Sequence, residues 1–268
     1  GLPLRGKRVG LLDIDIHGPS VPGMLGLEHE SIQTEGDDLL PIEWGDMKVM
    51  SIAFLLQNPD DALIWRGPMK IKVIQQFLRD VRWGELDYLI VDAPPGTGDE
   101  PLSICQMLSA AEGAIIVTTP QDVALRAVRK SVSFCHKVGM PVLGIVENMA
   151  GFACPHCGKQ TDLFPAGGVE RMMVEMDVAL LARIPIDPVV ALGGDAGKPL
   201  LRDHPESAAA RAFAPVVEQI CRLGEKAAAS DEKNQQGEDS FMRIAIPTAE
   251  GRLAMHFGHC EKFRSDER

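Results

Sequence analysis

Residues 89–99, Leu89-Ile-Val-Asp92-Ala-Pro-Pro-Gly96-Thr-Gly-Asp99, constrain the fold more than any other stretch of the chain. An unbroken apolar run of this kind reads as a strand buried on both faces, which belongs to a parallel sheet covered by helices. It ends in one aspartate and a rigid Pro-Pro-Gly turn. A carboxylate at such a place is costly unless a cation or a donor meets it. Nucleotide-hydrolysing α/β proteins place an acid near magnesium in this way. A second run, Val9-Gly-Leu-Leu-Asp13-Ile-Asp15, repeats the design, and open parallel sheets take their ligands at the carboxyl ends of the strands. The two-residue spacing puts the Asp13 and Asp15 side chains on one face of that strand. Asp13, Asp15 and Asp92 therefore predict one shared phosphate and metal site.

Such acids normally face a glycine-rich loop whose backbone N–H groups and lysine cradle the phosphates. No Gly-Lys pair in this sequence is followed by Ser or Thr. The opening Gly1-Leu-Pro-Leu-Arg-Gly-Lys-Arg reads as the tail of a helix already under way, so a first strand, a phosphate loop and most of a first helix are expected ahead of it. Gly193-Gly-Asp-Ala-Gly197-Lys198-Pro199 imitates the loop, but Leu192 stands where the first glycine belongs and Pro199 replaces the hydroxyl. It reads as a surface turn.

Short β-rich runs at 9–14, 48–53, 88–91, 114–118, 142–146 and 180–184 alternate with helical patterns. One opens at Pro68 with Ile71, Ile74, Phe77 and Leu78, and others span 121–138 and 205–223. This alternation predicts an α/β fold, a doubly wound and mostly parallel sheet. With 268 residues and 45% hydrophobic side chains the chain can bury a full core. Its net charge of −11 excludes a general nucleic-acid surface, and no apolar run is long enough to span a membrane. Six cysteines in a chain of this size fit a reducing compartment, so a cytoplasmic location is expected. From 226 to 240 the composition offers nothing to bury and predicts a flexible linker. The apolar Met242-Arg-Ile-Ala-Ile-Pro247 follows, with too few residues after it for an independent domain.

Two further groups carry chemistry. Asn148 sits at the carboxyl end of a strand, where an amide can donate to and accept from a purine edge. Cys154-Pro-His-Cys157-Gly158 has the form of a knuckle that turns two thiolates toward one ion. Two ligands do not complete a four-coordinate site, and a twofold dimer supplying two sulfurs from each subunit is the economical solution. A bridging zinc and a redox disulfide remain alternatives, since thiolate spacing does not identify the metal. Cys105, Cys135 and Cys221 fall among apolar neighbours on helical faces and read as core. His256, His259 and Cys260 could bind metal only within a folded surround.

Taken in order, Asp13-Ile-Asp15-Ile-His17-Gly-Pro-Ser20, Trp65-Arg66-Gly67-Pro68, Asp92-Ala-Pro-Pro-Gly-Thr-Gly-Asp99, Thr119-Pro120-Gln121, Glu147-Asn148-Met149 and Cys154-Pro-His-Cys157-Gly158 closely resemble the Mrp/ApbC group of iron–sulfur cluster carriers. That group is a deviant-Walker branch of the P-loop ATPases that also holds the Min and Par positioning proteins. The resemblance spans about residues 1–223. It implies ATP hydrolysis with Mg2+ in a complete protein, Asp15 positioning the attacking water, Asp13 supporting the metal shell, and Asp92 with the turn through Gly96 as the magnesium and switch region. It further implies that Asn148 reads adenine, that Pro185 and Asp187 form the other wall of the base pocket, and that a [4Fe–4S] cluster bridges two subunits through Cys154 and Cys157. The partners implied are a second copy of the chain and apo iron–sulfur proteins; a Min/Par-type positioning ATPase and a non-enzymatic metal-binding scaffold are the alternatives. Ala127 stands where the group often has an aspartate. Ile244-Ala-Ile-Pro247 and His256-Phe-Gly-His259-Cys260-Glu261 resemble the start of the NifX/NifB-type nitrogenase-cofactor-binding domain. The expected organisation is an ATPase domain over 1–225 that lacks its phosphate loop and is inactive alone, a linker over 226–240, and a fragment of a second α/β domain over 241–268.

Overall fold

The computed structural model describes residues 1–16, 18–56, 67–97, 99–108, 111–154, 157, 159–164, 167–231, 244–245 and 248–249. In chain order the elements are β1 (Val9–Asp13), α1 (Val21–Leu25), β2 (Gln33–Glu35), β3 (Asp38–Leu40), β4 (Ile42–Trp44), β5 (Met47–Ser51), α2 (Gly67–Arg79), β6 (Tyr88–Asp92), α3 (Asp99–Met107), β7 (Ala114–Thr118), α4 (Asp122–Lys137), β8 (Val142–Ala153), β9 (Gln160–Thr161), α5 (Gly168–Met176), β10 (Leu180–Ile186), α6 (Pro188–Asp195), α7 (Leu200–Asp203), α8 (Ala208–Asp231), β11 (Ile244–Ala245) and β12 (Thr248–Ala249). His17, Trp65, Arg66, Gly98 and the residues from 250 onward lie outside the described set.

Every residue of β6 and of β7 is buried, the signature of strands covered on both faces. Their order explains this. β1 lies between β5 and β6, parallel to both, with β4 added antiparallel at the edge. β7, β8 and β10 form a second parallel set. Helices supply the cover by presenting one apolar stripe each. In α4 the stripe is Ala124, Leu125, Val128, Val132 and Cys135; in α8 it is Ala209, Phe213, Val216, Val217 and Ile220, all buried. The result is the α/β, mostly parallel architecture that the alternation of patterns implies. Among the described residues no helix is long and apolar enough to cross a membrane.

Departures from the sequence reading have local causes. α8 starts at Ala208 because Ser207 accepts a hydrogen bond from the Ala210 N–H at 3.1 Å, a side-chain cap that Pro205 cannot provide. It then runs on to Asp231, past the expected linker start at 226, through alanines that favour helix. The Gly193–Pro199 stretch is only partly a turn: Gly193 and Gly194 belong to the last turn of α6, and Gly193 is buried. Two hairpins, β2–β3 and β4–β5, turn at Gly36 (φ +64°) and Gly45 (φ +57°). Further along the chain, Ile244 and Ala245 pair parallel with Leu89 and Ile90 of β6, and Thr248 and Ala249 pair parallel with Ile116 and Val117 of β7.

Candidate functional site

Parallel pairing in register carries Asp13, Asp92 and Ser51 to one level, with Asp13 opposite Asp92 on one side and Ser51 on the other. All three are buried, Asp13 fully and Asp92 to 2% exposure. The Ser51 hydroxyl donates to Asp13 Oδ2 at 2.8 Å, and the Asp15 N–H donates to Asp13 Oδ1 at 3.1 Å. These bonds favour the charged carboxylate, yet burial and then the neighbouring Asp92 charge push the Asp13 pKa up to about 8. Two buried acids side by side need either a proton or a cation between them. Carboxylate and hydroxyl oxygens are the donors that hard divalent cations take, so these residues fit Mg2+.

Asp15 is placed differently from the sequence expectation. β1 ends at Asp13, and the Ile14 N–H donates across to the Asp92 carbonyl at 3.0 Å, so the chain has left the strand when it reaches Asp15. Asp15 is half-buried and its Oδ1 accepts from the Gly18 N–H at 3.3 Å, bracing the turn after the strand. The two acids therefore do not share a strand face, although the Asp15 backbone supports Asp13 directly. Ser51 escaped the sequence reading; its signal was a hydroxyl closing the apolar run of β5. Gly96, with φ +96°, occupies the left-handed region in the turn after Asp92, between buried Pro94, exposed Pro95 and exposed Thr97.

The second parallel set brings Asn148 opposite Ile184, near Pro185 and the end of β10. Asn148 lies within β8 rather than after it, because the strand continues to Ala153. Its Oδ1 accepts from the Met149 N–H at 2.9 Å, and Met149 takes φ +58°, a strained value for a residue with a side chain. Asp187 is committed to architecture. Its Oδ1 accepts from Val189 N–H at 3.1 Å at the start of α6, and its Oδ2 from Ala209 N–H at 3.4 Å at the start of α8. One carboxylate thus serves two helix N-termini. Glu147, buried next to Asn148, is paired with Arg183 at 2.7 Å, and Arg183 also reaches Glu170. Neither partner was evident from the sequence.

β8 then continues into a hairpin with β9, pairing Phe152 with Thr161 and Ala153 with Gln160, while Phe152 still pairs with Ile186 of β10. The Cys154 N–H donates to the Lys159 carbonyl at 3.0 Å, closing the loop that holds both cysteines. Cys154 is half-buried and Cys157 is exposed at the tip. Among the described residues no three His, Cys, Asp or Glu side chains gather into a metal site. The buried thiols differ in kind. Burial pushes Cys105 up to about 11 and Cys135 up to about 12, and raises half-buried Cys221. Protonated, packed thiols are poor ligands.

The model of a family described as ParA: NUBPL iron-transfer P-loop NTPase matches residues 1–221. The chain belongs to that family. Solved structures of nucleotide-binding proteins resemble the chain. A nucleotide-binding protein of Archaeoglobus fulgidus, determined in complex with ADP, is 38% identical over 76% of this chain and 79% of its own, with a TM-score of 0.64. The septum site-determining protein MinD of Pyrococcus horikoshii, complexed with Mg-ADP, is 24% identical over 83% of this chain and 86% of its own, with a TM-score of 0.58. The cell division ATPase MinD of Pyrococcus furiosus is also 24% identical, with 83% and 89% coverage and a TM-score of 0.54. The two MinD likenesses establish the fold, a P-loop NTPase sheet with helices on both faces.

Proposed function

We propose that this iron-transfer P-loop NTPase is an iron–sulfur cluster carrier of the Mrp/ApbC type. Two copies hold one [4Fe–4S] cluster between their Cys154/Cys157 loops and pass it to apo-proteins. The observation that carries the reading is the hairpin: β8 carries the chain from Glu147 and Asn148 to Ala153, one residue before Cys154, and pairs there with β9. A cysteine pair on a two-stranded arm, with Cys157 exposed, can present half of a four-sulfur set to a twofold mate. A Min/Par-type positioning protein has no use for such an arm.

At the sheet, Asp13, Asp92 and Ser51 provide the oxygen donors for Mg2+, while Asp15 holds Asp13 through its N–H. Bound Mg2+ would offset the paired carboxylates and the charge of a nucleotide phosphate. The archaeal relative determined with ADP supports a nucleotide at this edge, with Asn148 and Pro185 beside the base. Asp187 shapes that wall through the two helices that it caps rather than by direct contact. Hydrolysis also needs N–H groups and a lysine around the phosphates, and no Gly-Lys-Ser or Gly-Lys-Thr occurs in these 268 residues. These residues alone are therefore expected to hold the cation without turning over ATP. The test is transfer: protein reconstituted without oxygen is mixed with an apo acceptor of a [4Fe–4S] cluster, and acceptor loading is followed. Loading should outpace that from free iron and sulfide and vanish with Cys154→Ser. Equal loading from the variant would reject the carrier reading.

A further inference from the structure

β8 and β10 run in step as far as Asn148 and then lose step. Asn148 lies opposite Ile184 and the next pair is Phe152 with Ile186, so Met149, Ala150 and Gly151 of β8 stand against Pro185 alone. Proline has no N–H to give to a ladder, and a bulge is where a strand can meet one. Two residues in excess also bend the strand that carries them. Beyond this bend β8 takes up β9 and leads to Cys154. The backbone is unusual at both ends of the bulge, with φ +58° at Met149 and φ +89° at Gly151. Glycine takes such angles freely. Methionine does not, and among the described residues the other side-chain-bearing residue at positive φ is Asp177, of a type that tolerates it. Something must therefore hold Met149, and its own N–H donates to Asn148 Oδ1 at 2.9 Å.

We propose that Asn148 is a positioning residue for the cysteine pair: its side-chain amide keeps Met149 left-handed, and this sets the bulge from which the arm bearing Cys154 and Cys157 is aimed. Without that bond Met149 falls back toward negative φ, and the bulge no longer has one exit direction. The pairing of Phe152 with both Ile186 and Thr161 is then the first to go, since it is the first beyond the bulge. An arm undocked there uncovers more of half-buried Cys154. The pairs from Ile145 to Asn148 lie ahead of the bulge and keep their register. Glu147 sharpens the division, because its ion pair with Arg183 at 2.7 Å pins β8 to β10 immediately before Asn148. Asn148 thus stands at the border between a pinned strand and an aimed arm. One lone pair of Oδ1 serves this bond, so the same amide can also meet a base edge. The proposal rests on the carrier reading for the use of the arm, but the aim of the arm is measured on the thiols with no metal present.

Alkylation of the reduced, metal-free full chain by iodoacetamide, read thiol by thiol by mass spectrometry, tests it. Exposed Cys157 is the reference, half-buried Cys154 the reporter and buried Cys135 the check on the fold. In Asn148→Ala the rate at Cys154 relative to Cys157 should rise at least roughly threefold, the scale of one lost hydrogen bond, with Cys135 unmoved. Asn148→Asp keeps an oxygen for the Met149 N–H and should hold the wild-type ratio. Adding Met149→Asn to Asn148→Ala should restore that ratio, because asparagine accepts positive φ. An unchanged ratio in Asn148→Ala, an equal rise in Asn148→Asp or a failed rescue overturns the proposal. So does a rise at Cys135 that matches the rise at Cys154, which means general loosening. If Asn148→Ala does not fold, Met149→Val decides: a β-branched residue resists positive φ, so the ratio should rise with Asn148 intact, and an unchanged ratio overturns the proposal. Failure of the wild type to hold a cluster would reject the carrier reading and leave these rates as they are, so the two failures are told apart.

Discussion

Replacing Asp13 by Asn should change how stability depends on pH, with a size set by the buried acid pair. In the folded chain the Asp13 pKa is raised to about 8 from the ordinary 3.8 of an aspartate, first by burial and then by the Asp92 charge. An acid with a raised folded pKa makes the folded state bind more protons than the unfolded one between those two values. Its destabilising effect is absent below the lower value, grows as pH rises through the window, and levels off above about 8. Across three pH units from 5 to 8, at about 1.36 kcal/mol per unit, the folded chain should lose roughly 4 kcal/mol from this group. Asn removes the titration while keeping an acceptor for the Asp15 N–H, and the Ser51 hydroxyl can turn to accept from its NH2. The salt-bridged Asp87, whose pKa Arg8 holds down, does not interfere, since it titrates below this range. Urea unfolding followed by circular dichroism, without divalent cations, measures both proteins at pH 5, 6.5 and 8. The wild type should fall faster with pH than Asp13→Asn by an amount of that order. Parallel pH profiles, or a wild type more stable at pH 8 than at pH 5 relative to the variant, would refute the argument.

Two further substitutions separate architecture from chemistry. Asp187→Ala should cost about 2 kcal/mol in urea unfolding at pH 7, roughly 1 for the α6 cap and a similar amount for the bond to Ala209 N–H at the start of α8; a loss below about 0.5 kcal/mol would mean that solvent replaces both bonds. Arg183→Met leaves Glu147 buried without its partner and should cost roughly 2 kcal/mol, most of it recovered in the Glu147→Gln, Arg183→Met double variant. Additive losses in that cycle would contradict the pairing.

The sheet was legible because its signals are long and unmixed. Leu89-Ile-Val and Ile115-Ile-Val can only be buried strands, and the alternation around them leaves few topologies. The places of Asp13 and Asp92 in the fold were legible for the same reason: each ends such a strand. What the sequence did not disclose depends on register. Ser51 reaches Asp13 only because β5 pairs with β1 in a particular alignment. The place of Asp15 depends on where β1 stops. The double cap at Asp187 was not legible because a carboxylate that caps two helices, one of them starting 21 residues later, has no local signature. The short hairpins carried only their Gly36 and Gly45 turns. The pairings of 244–245 and 248–249 were the hardest to foresee, since nothing in Met-Arg-Ile-Ala-Ile-Pro says which strands they will join.

Iron and acid-labile sulfide, counted per chain after reconstitution without oxygen and set beside the native mass, test the carrier reading most directly. The account predicts about two irons and two sulfides per chain in a dimer, one [4Fe–4S] cluster shared by two Cys154/Cys157 loops. Cys154→Ser and Cys157→Ser should each remove the cluster and its absorbance, while Cys135→Ser, a buried thiol, should leave loading unchanged. Full iron and sulfide in either knuckle variant, or a dimer that binds only zinc, would contradict it.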